Sequence, residues 1–167
     1  MACGSNRAIT FGSSLSHATV LENVRSTIMT TIACNHAVMA GDTLLTSDIK
    51  CYAQKVFKHK GNCVGIAGTY VDCMLFVSWW KKGAKGDAPS MKDVEALILT
   101  KDGRILCFDQ HESFFELDDK FAAIGSGSQA ALGAMHRGAW PKEAVQIASK
   151  VDPGTGFKTT VRNRGKK

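Results

Sequence analysis

Asp102-Gly103 stands between two apolar runs, 96–100 and 104–108, and this stretch constrains the fold more than any other. Both residues tolerate positive φ, as the tight turns joining antiparallel strands require, so the segment predicts a β-hairpin. Two further pairs repeat the pattern. Thr30-Thr31-Ile32-Ala33-Cys34 and Ala37-Val38-Met39-Ala40 turn at Asn35-His36 and close on Gly41-Asp42, and runs 55–58 and 63–67 turn around Lys60-Gly61-Asn62. Residues 70–81 are apolar nearly all round and predict a well-buried helix. The stretch 83–90, rich in Gly and containing Pro89, reads as a loop. A strand over 121–124 feeds Gly125-Ser126-Gly127 and a small-residue helix over 128–137. A second helix runs from Pro141, suited to a first helical turn, to 150, and a last strand covers 157–162. Hairpins followed by helices make an α+β layered domain, not a βαβ alternation.

Composition narrows the class. With 167 residues, 44% hydrophobic and 22% charged, the chain fits one domain with an ordinary globular core. No apolar run reaches the ~18 residues of a membrane-spanning helix. Segment 1–29 is Ser/Thr/Asn-rich and lacks a basic start followed by an apolar core, so it reads as a flexible leader and not a secretory signal. The domain proper is 30–162, with a basic tail at 163–167. The six cysteines lie far apart with no C-x-x-C pair, which leaves a zinc site without its spacing. Without a signal segment they read as reduced thiols of a cytoplasmic protein. The net charge of +6 is concentrated at Lys158 and in 162–167 with no interleaved aromatics. That is a solvated tail and not a nucleic-acid surface.

Six short motifs carry the chemistry. In chain order they are Thr30-Thr31-Ile32 after Met29; Ala40-Gly41-Asp42 ending a strand; Lys55-Val56 opening the next; Gly65-Ile66-Ala67-Gly68-Thr69-Tyr70-Val71-Asp72 leading into the first helix; Ile124-Gly125-Ser126-Gly127 before another helix; and Asp152-Pro153-Gly154-Thr155-Gly156 before the last strand. Each alone is weak, but all six in this order on these element types resemble the proteasome β subunit and its bacterial relative, the HslV peptidase. The resemblance covers about 30–162.

The resemblance implies a four-layer αββα sandwich of two antiparallel sheets, the fold of N-terminal-nucleophile hydrolases, and a threonine-type endopeptidase acting on unfolded protein. Thr30 would be the nucleophile. A threonine hydroxyl needs a base, and the free α-amine of an N-terminal Thr30, titrating near ~7.7–8.0, would serve. Lys55 would lower that amine's pKa by like-charge repulsion, and Asp42 would hold and neutralise Lys55. The Gly68 N–H would meet the developing oxyanion. Ser126, Asp152 and Thr155 would hydrogen-bond around the amine and position a water. No cofactor is implied. The implied partners are unfolded polypeptide, further copies in a homo-oligomeric ring and an ATP-dependent unfoldase.

The chain departs from that family in three ways. The span from Thr30 to Asp42 is shorter than in HslV, but a hairpin shortened by an even number of residues per strand keeps every side chain on its face. Only one helix is visible between the glycine turn and the central hairpin, because 83–95 is too short and broken for a second. One helical layer is then reduced, and with it the surface for an unfoldase. Met29 stands where self-processing relatives carry glycine. Either 1–28 is a leader cut at an unusual site, or translation starts at Met29 and an aminopeptidase exposes Thr30.

Other readings compete. An inactive scaffold protein could keep the fold, and an amidohydrolase could use the same nucleophile plan on a non-peptide substrate. Gly125-Ser126-Gly127-Ser128-Gln129-Ala130 also fits the G-x-G-x-x-A fingerprint of dinucleotide binding. That motif needs a parallel βαβ context, which hairpins do not supply. The apolar residues of 70–81, Trp79 and Trp80 included, predict an interface for other copies if the partner helix is missing.

Overall fold

The computed structural model describes residues 27–46, 50–109 and 113–165. The hairpins form as the turn chemistry dictates. Ile32–Asn35 (β2) pairs antiparallel with Val38–Asp42 (β3), in register Ile32↔Gly41. Val56–His59 (β6) pairs with Asn62–Thr69 (β7), and Val94–Leu99 (β8) pairs with Ile105–Phe108 (β9) across the Asp102-Gly103 turn. β7 also pairs with β8, so the two hairpins share one sheet.

Four short strands were not legible in the sequence. Thr27–Ile28 (β1) pairs with Thr69 and Gly68 on the edge of β7 beyond the end of β6. Leu44–Thr46 (β4) and Lys50–Tyr52 (β5) make a small ribbon, and Phe114–Leu117 (β10) extends the sheet past β9. The larger sheet therefore runs β1-β7-β8-β9-β10 with β6 also on β7. A second sheet of four strands has the order β11-β2-β3-β12, where β11 is Phe121–Ile124 and β12 is Thr159–Asn163. Every pairing among the described residues is antiparallel.

Strand periodicity sorts the apolar residues into three cores. Ile32 and Cys34 on β2 face Leu97 and Leu99 on β8 between the sheets. Val64, Ile66, Ala96 and Ile98 face away from that core and pack on Tyr70–Lys81 (α1). Ala33 and Ala40 pack on Ser128–His136 (α2) and Pro141–Ala148 (α3) through Ala131, Ala144 and Val145. Small residues let these two helices lie close to the sheet. No described helix is long and apolar enough to cross a membrane.

The helix α1 has the expected bounds but not the expected burial. Cys73, Phe76 and Val77 are buried, whereas Val71 and Leu75 are exposed, because a single helix on a sheet can hide only one face. Trp79 and Trp80 are not the exposed pair. Trp79 stacks on Phe114 of β10 at 5.9 Å and adjoins Phe76 and Phe108, so the unforeseen strand covers it.

Of the leader 1–29, residues 1–26 lie outside the described residues. Of the basic segment, 166–167 lie outside them too, while Arg164 is tied down. Its guanidinium donates to the carbonyls of His36 and Lys101, both at 2.7 Å. A planar fork of donors suits two carbonyls at adjoining turns. Among the described residues five cysteines are free thiols, and Cys3 lies outside them.

Candidate active site

The site forms where chain ends and turns of both sheets meet. Antiparallel pairing of β2 with β3 brings the start of one strand beside the end of the other, so Thr30 and Thr31 reach Asp42. Thr30 Oγ1 donates to Asp42 Oδ1 at 2.5 Å, and the Thr31 N–H donates to the same oxygen at 3.0 Å. Both threonines are fully buried. Asp42 Oδ2 accepts the N–H groups of Leu44 (2.9 Å) and Gly156 (3.2 Å). A buried carboxylate is tolerated only when its lone pairs are filled in this way.

Lys55, one residue before β6, supplies the opposite charge. Its Nζ lies 3.1 and 3.0 Å from the two Asp42 oxygens, 2.5 Å from the Leu44 carbonyl and 3.3 Å from the Met29 carbonyl. Lys55 is entirely shielded from solvent. Burial pulls its pKa below the ordinary lysine value, and the Asp42 carboxylate pushes back. Thr30, Asp42 and Lys55 thus form one compact unit whose ammonium also contacts the carbonyl immediately before Thr30.

Ser126, Asp152 and Thr155 form a second unit. Asp152 Oδ2 accepts from Ser126 Oγ at 2.7 Å and from Thr155 Oγ1 at 2.5 Å. Because Thr155 spends its single proton on Asp152, the 2.5 Å contact between Thr31 Oγ1 and Thr155 Oγ1 is donated by Thr31. Burial raises the Asp152 pKa. The hydrogen bonds from Thr155, Ser126 and the Gly154 N–H, with the charge of Lys55, outweigh it and hold the carboxyl below its ordinary range.

Ser126 reaches the Thr30 carbonyl at 3.3 Å and Thr155 the Thr31 hydroxyl, so the unit engages the segment that follows the Thr30 nitrogen. In this chain that nitrogen is a peptide nitrogen carrying Met29. Thr31, the Leu44 carbonyl and the Gly156 N–H are site groups that residue-by-residue reading missed. Thr31 was signalled only by its place beside Thr30, and the two backbone groups by nothing.

Two glycines are dictated by space. At Gly68, with φ of +117°, a Cβ would lie 2.3 Å from the Asp93 carbonyl oxygen, so only glycine fits. A Cβ on Gly127 would lie 2.0 Å from Thr31 Oγ1 and 2.9 Å from Thr155 Oγ1. Gly68 lies on the wall of a cavity of about 470 Å³ that also involves Met29, Gly125 and Ser126 of the second unit. The dinucleotide fingerprint at 125–130 falls between β11 and α2, but β11 pairs antiparallel with β2, so no parallel crossover surrounds it. No group of residues with metal-ligand composition occurs among the described residues.

No protein-family model matches the sequence, and no curated protein matches it at a significant level. Solved structures do match the fold. The BPH protein of Thiobacillus denitrificans, solved in complex with epoxomicin, superposes with a TM-score of 0.61 at 19% identity, covering 83% of this chain and 98% of that one. Eukaryotic HslV from Trypanosoma brucei superposes with a TM-score of 0.64 at 18% identity, covering 80% of this chain and 98% of its own. The chain has a proteasome/HslV-like fold of antiparallel sheets and helices.

Proposed function

We propose that this chain is a threonine-type endopeptidase of the proteasome/HslV kind, an αββα sandwich thinned to one helix on one side. The observation that carries the reading is the Thr30 hydroxyl on Asp42, with the Lys55 ammonium between that carboxylate and the Met29 carbonyl. Once Thr30 is freed from Met29, its α-amine takes the Oγ1 proton as the oxygen attacks a peptide carbonyl carbon. Lys55 keeps the amine neutral near pH 7 by like-charge repulsion, and Asp42 holds Lys55 in place. The Gly68 N–H stabilises the oxyanion. The amine then protonates the departing nitrogen, leaving an ester on Oγ1 that water hydrolyses. Ser126, Asp152 and Thr155 anchor the Thr30–Thr31 backbone throughout and hold that water.

Copies of the chain would assemble into a ring that limits access to unfolded polypeptide. The exposed Val71 and Leu75 of α1 are the surface offered to that assembly. The test is N-terminal sequencing combined with peptide hydrolysis. Active material should begin at Thr30, and Thr30→Ala should lose hydrolysis by orders of magnitude while keeping its fold. Activity in material with Met1 intact, or wild-type activity in Thr30→Ala, would refute the assignment.

A further inference from the structure

The short strand Thr27–Ile28 occupies the place that the proposed mechanism needs for substrate. It pairs antiparallel with Thr69 and Gly68, and Ile28 stands opposite Gly68, whose N–H is the proposed oxyanion donor. β4 adjoins this strand too, so an extended peptide, the chain's own, already lies along the edge of β7. Met29 follows it into the site. Its side chain lies over Gly154, where a Cβ would stand 2.8 Å from Met29 Cε and closer still to its Cβ, so glycine leaves the room that this side chain takes. Met29 also lines the cavity shared by Gly68 and Ser126. Its carbonyl oxygen accepts from Lys55 Nζ at 3.3 Å.

A cut after Met29 changes the charge at that contact. Hydrolysis adds one water across the Met29–Thr30 bond and leaves a carboxylate on Met29 and an ammonium on Thr30. The oxygen that Lys55 holds then belongs to a carboxylate, so both partners of the bond are charged and it strengthens. Lys55 already pairs with buried Asp42, and the new Thr30 ammonium offsets the second carboxylate. A carboxylate beside the Thr30 nitrogen favours its protonated form, which has no lone pair with which to act as base. Resting on the endopeptidase reading, we infer that the groove from the β7 edge at Gly68 to Lys55 is a binding site for the carboxylate end of an extended peptide, and that the leader cut after Met29 stays there as a competitive inhibitor.

The test starts from full-length chain that has been cut after Met29. Native mass spectrometry should find the leader still bound, and hydrolysis of a fluorogenic peptide should rise as dialysis removes it. A synthetic peptide of residues 24–29 (Val-Arg-Ser-Thr-Ile-Met) with a free carboxylate is then added back, and its binding is read both by inhibition and by fluorescence anisotropy of a labelled copy. The acid should bind about tenfold or more tighter than the same peptide as its C-terminal amide, because only the acid brings a charge to Lys55. A scrambled acid, and the acid N-methylated at Thr27 and Ile28, should be weaker by a similar factor, since the second keeps the carboxylate but loses the strand donors. An acid that binds no better than the amide overturns the inference, as does inhibition unmoved by N-methylation. In either case hydrolysis that depends on Thr30 leaves the endopeptidase reading standing. Acid-selective binding by cut chain that hydrolyses nothing supports the carboxylate site and removes the endopeptidase reading. A chain never cut after Met29 removes both.

Discussion

Thr31 Oγ1 and Thr155 Oγ1 lie 2.5 Å apart, although 124 positions separate them in the chain. The contact ties the start of β2 to the loop before β12, and Asp152 and Ser126 extend it. Thr31→Val keeps the shape but leaves the Thr155 hydroxyl short of a partner. It should lower stability by about 1 kcal/mol, and Thr31→Ser should restore most of it. Urea unfolding midpoints at constant m-value are the measurement.

Lys55 and Asp42 are both buried, so neither can be removed alone without cost. Lys55→Met strands a carboxylate that still has its Leu44 and Gly156 donors but no counter-charge. The expected loss is about 3–5 kcal/mol. Adding Asp42→Asn should recover part of the stability and none of the hydrolysis. If Lys55→Met were as stable as the parent chain, the ion pair would not be the buried one described.

Acid should expose the Asp152 cluster. Its folded pKa lies below the ordinary 3.8, so its contribution to stability is present above 3.8 and is lost as pH falls through the lower folded value. Asp152→Asn removes that dependence. Thermal melts at intervals from neutral pH into this acid range should show a shallower decline in the variant than in the parent.

The two faces of α1 should respond in opposite ways. Trp79→Ala empties the stack between Phe76, Phe108 and Phe114 and should cost about 3 kcal/mol in melts or urea titrations. Val71→Lys and Leu75→Lys, on the exposed face, should leave the melting temperature nearly unchanged and break up the assembly. Light scattering during size exclusion reads the second effect. A native species the size of a single chain would overturn the assembly reading.

Hairpin turns and period-two alternation are local properties, so β2, β3, β6 to β9 and β11 could be read from neighbouring residues alone. The limits of α1 were legible for the same reason, as were the six motifs that supplied Thr30, Asp42, Lys55, Gly68, Ser126, Asp152 and Thr155. Which side of α1 faces solvent was not legible, because it depends on a strand, Phe114–Leu117, whose pairing with β9 involves residues outside the helix. Nor was the short strand Thr27–Ile28, which is held by the edge of β7 and not by its own composition. The sequence alone determined the order of the longer strands and the helices and the residue types of the six motifs, because both follow from local chemistry. Only the tertiary structure decided that Leu44 lends Lys55 a carbonyl and that Thr31 completes the chain to Asp152. Those bonds join groups far apart in sequence, and no local pattern encodes which of them burial will leave in need of a partner.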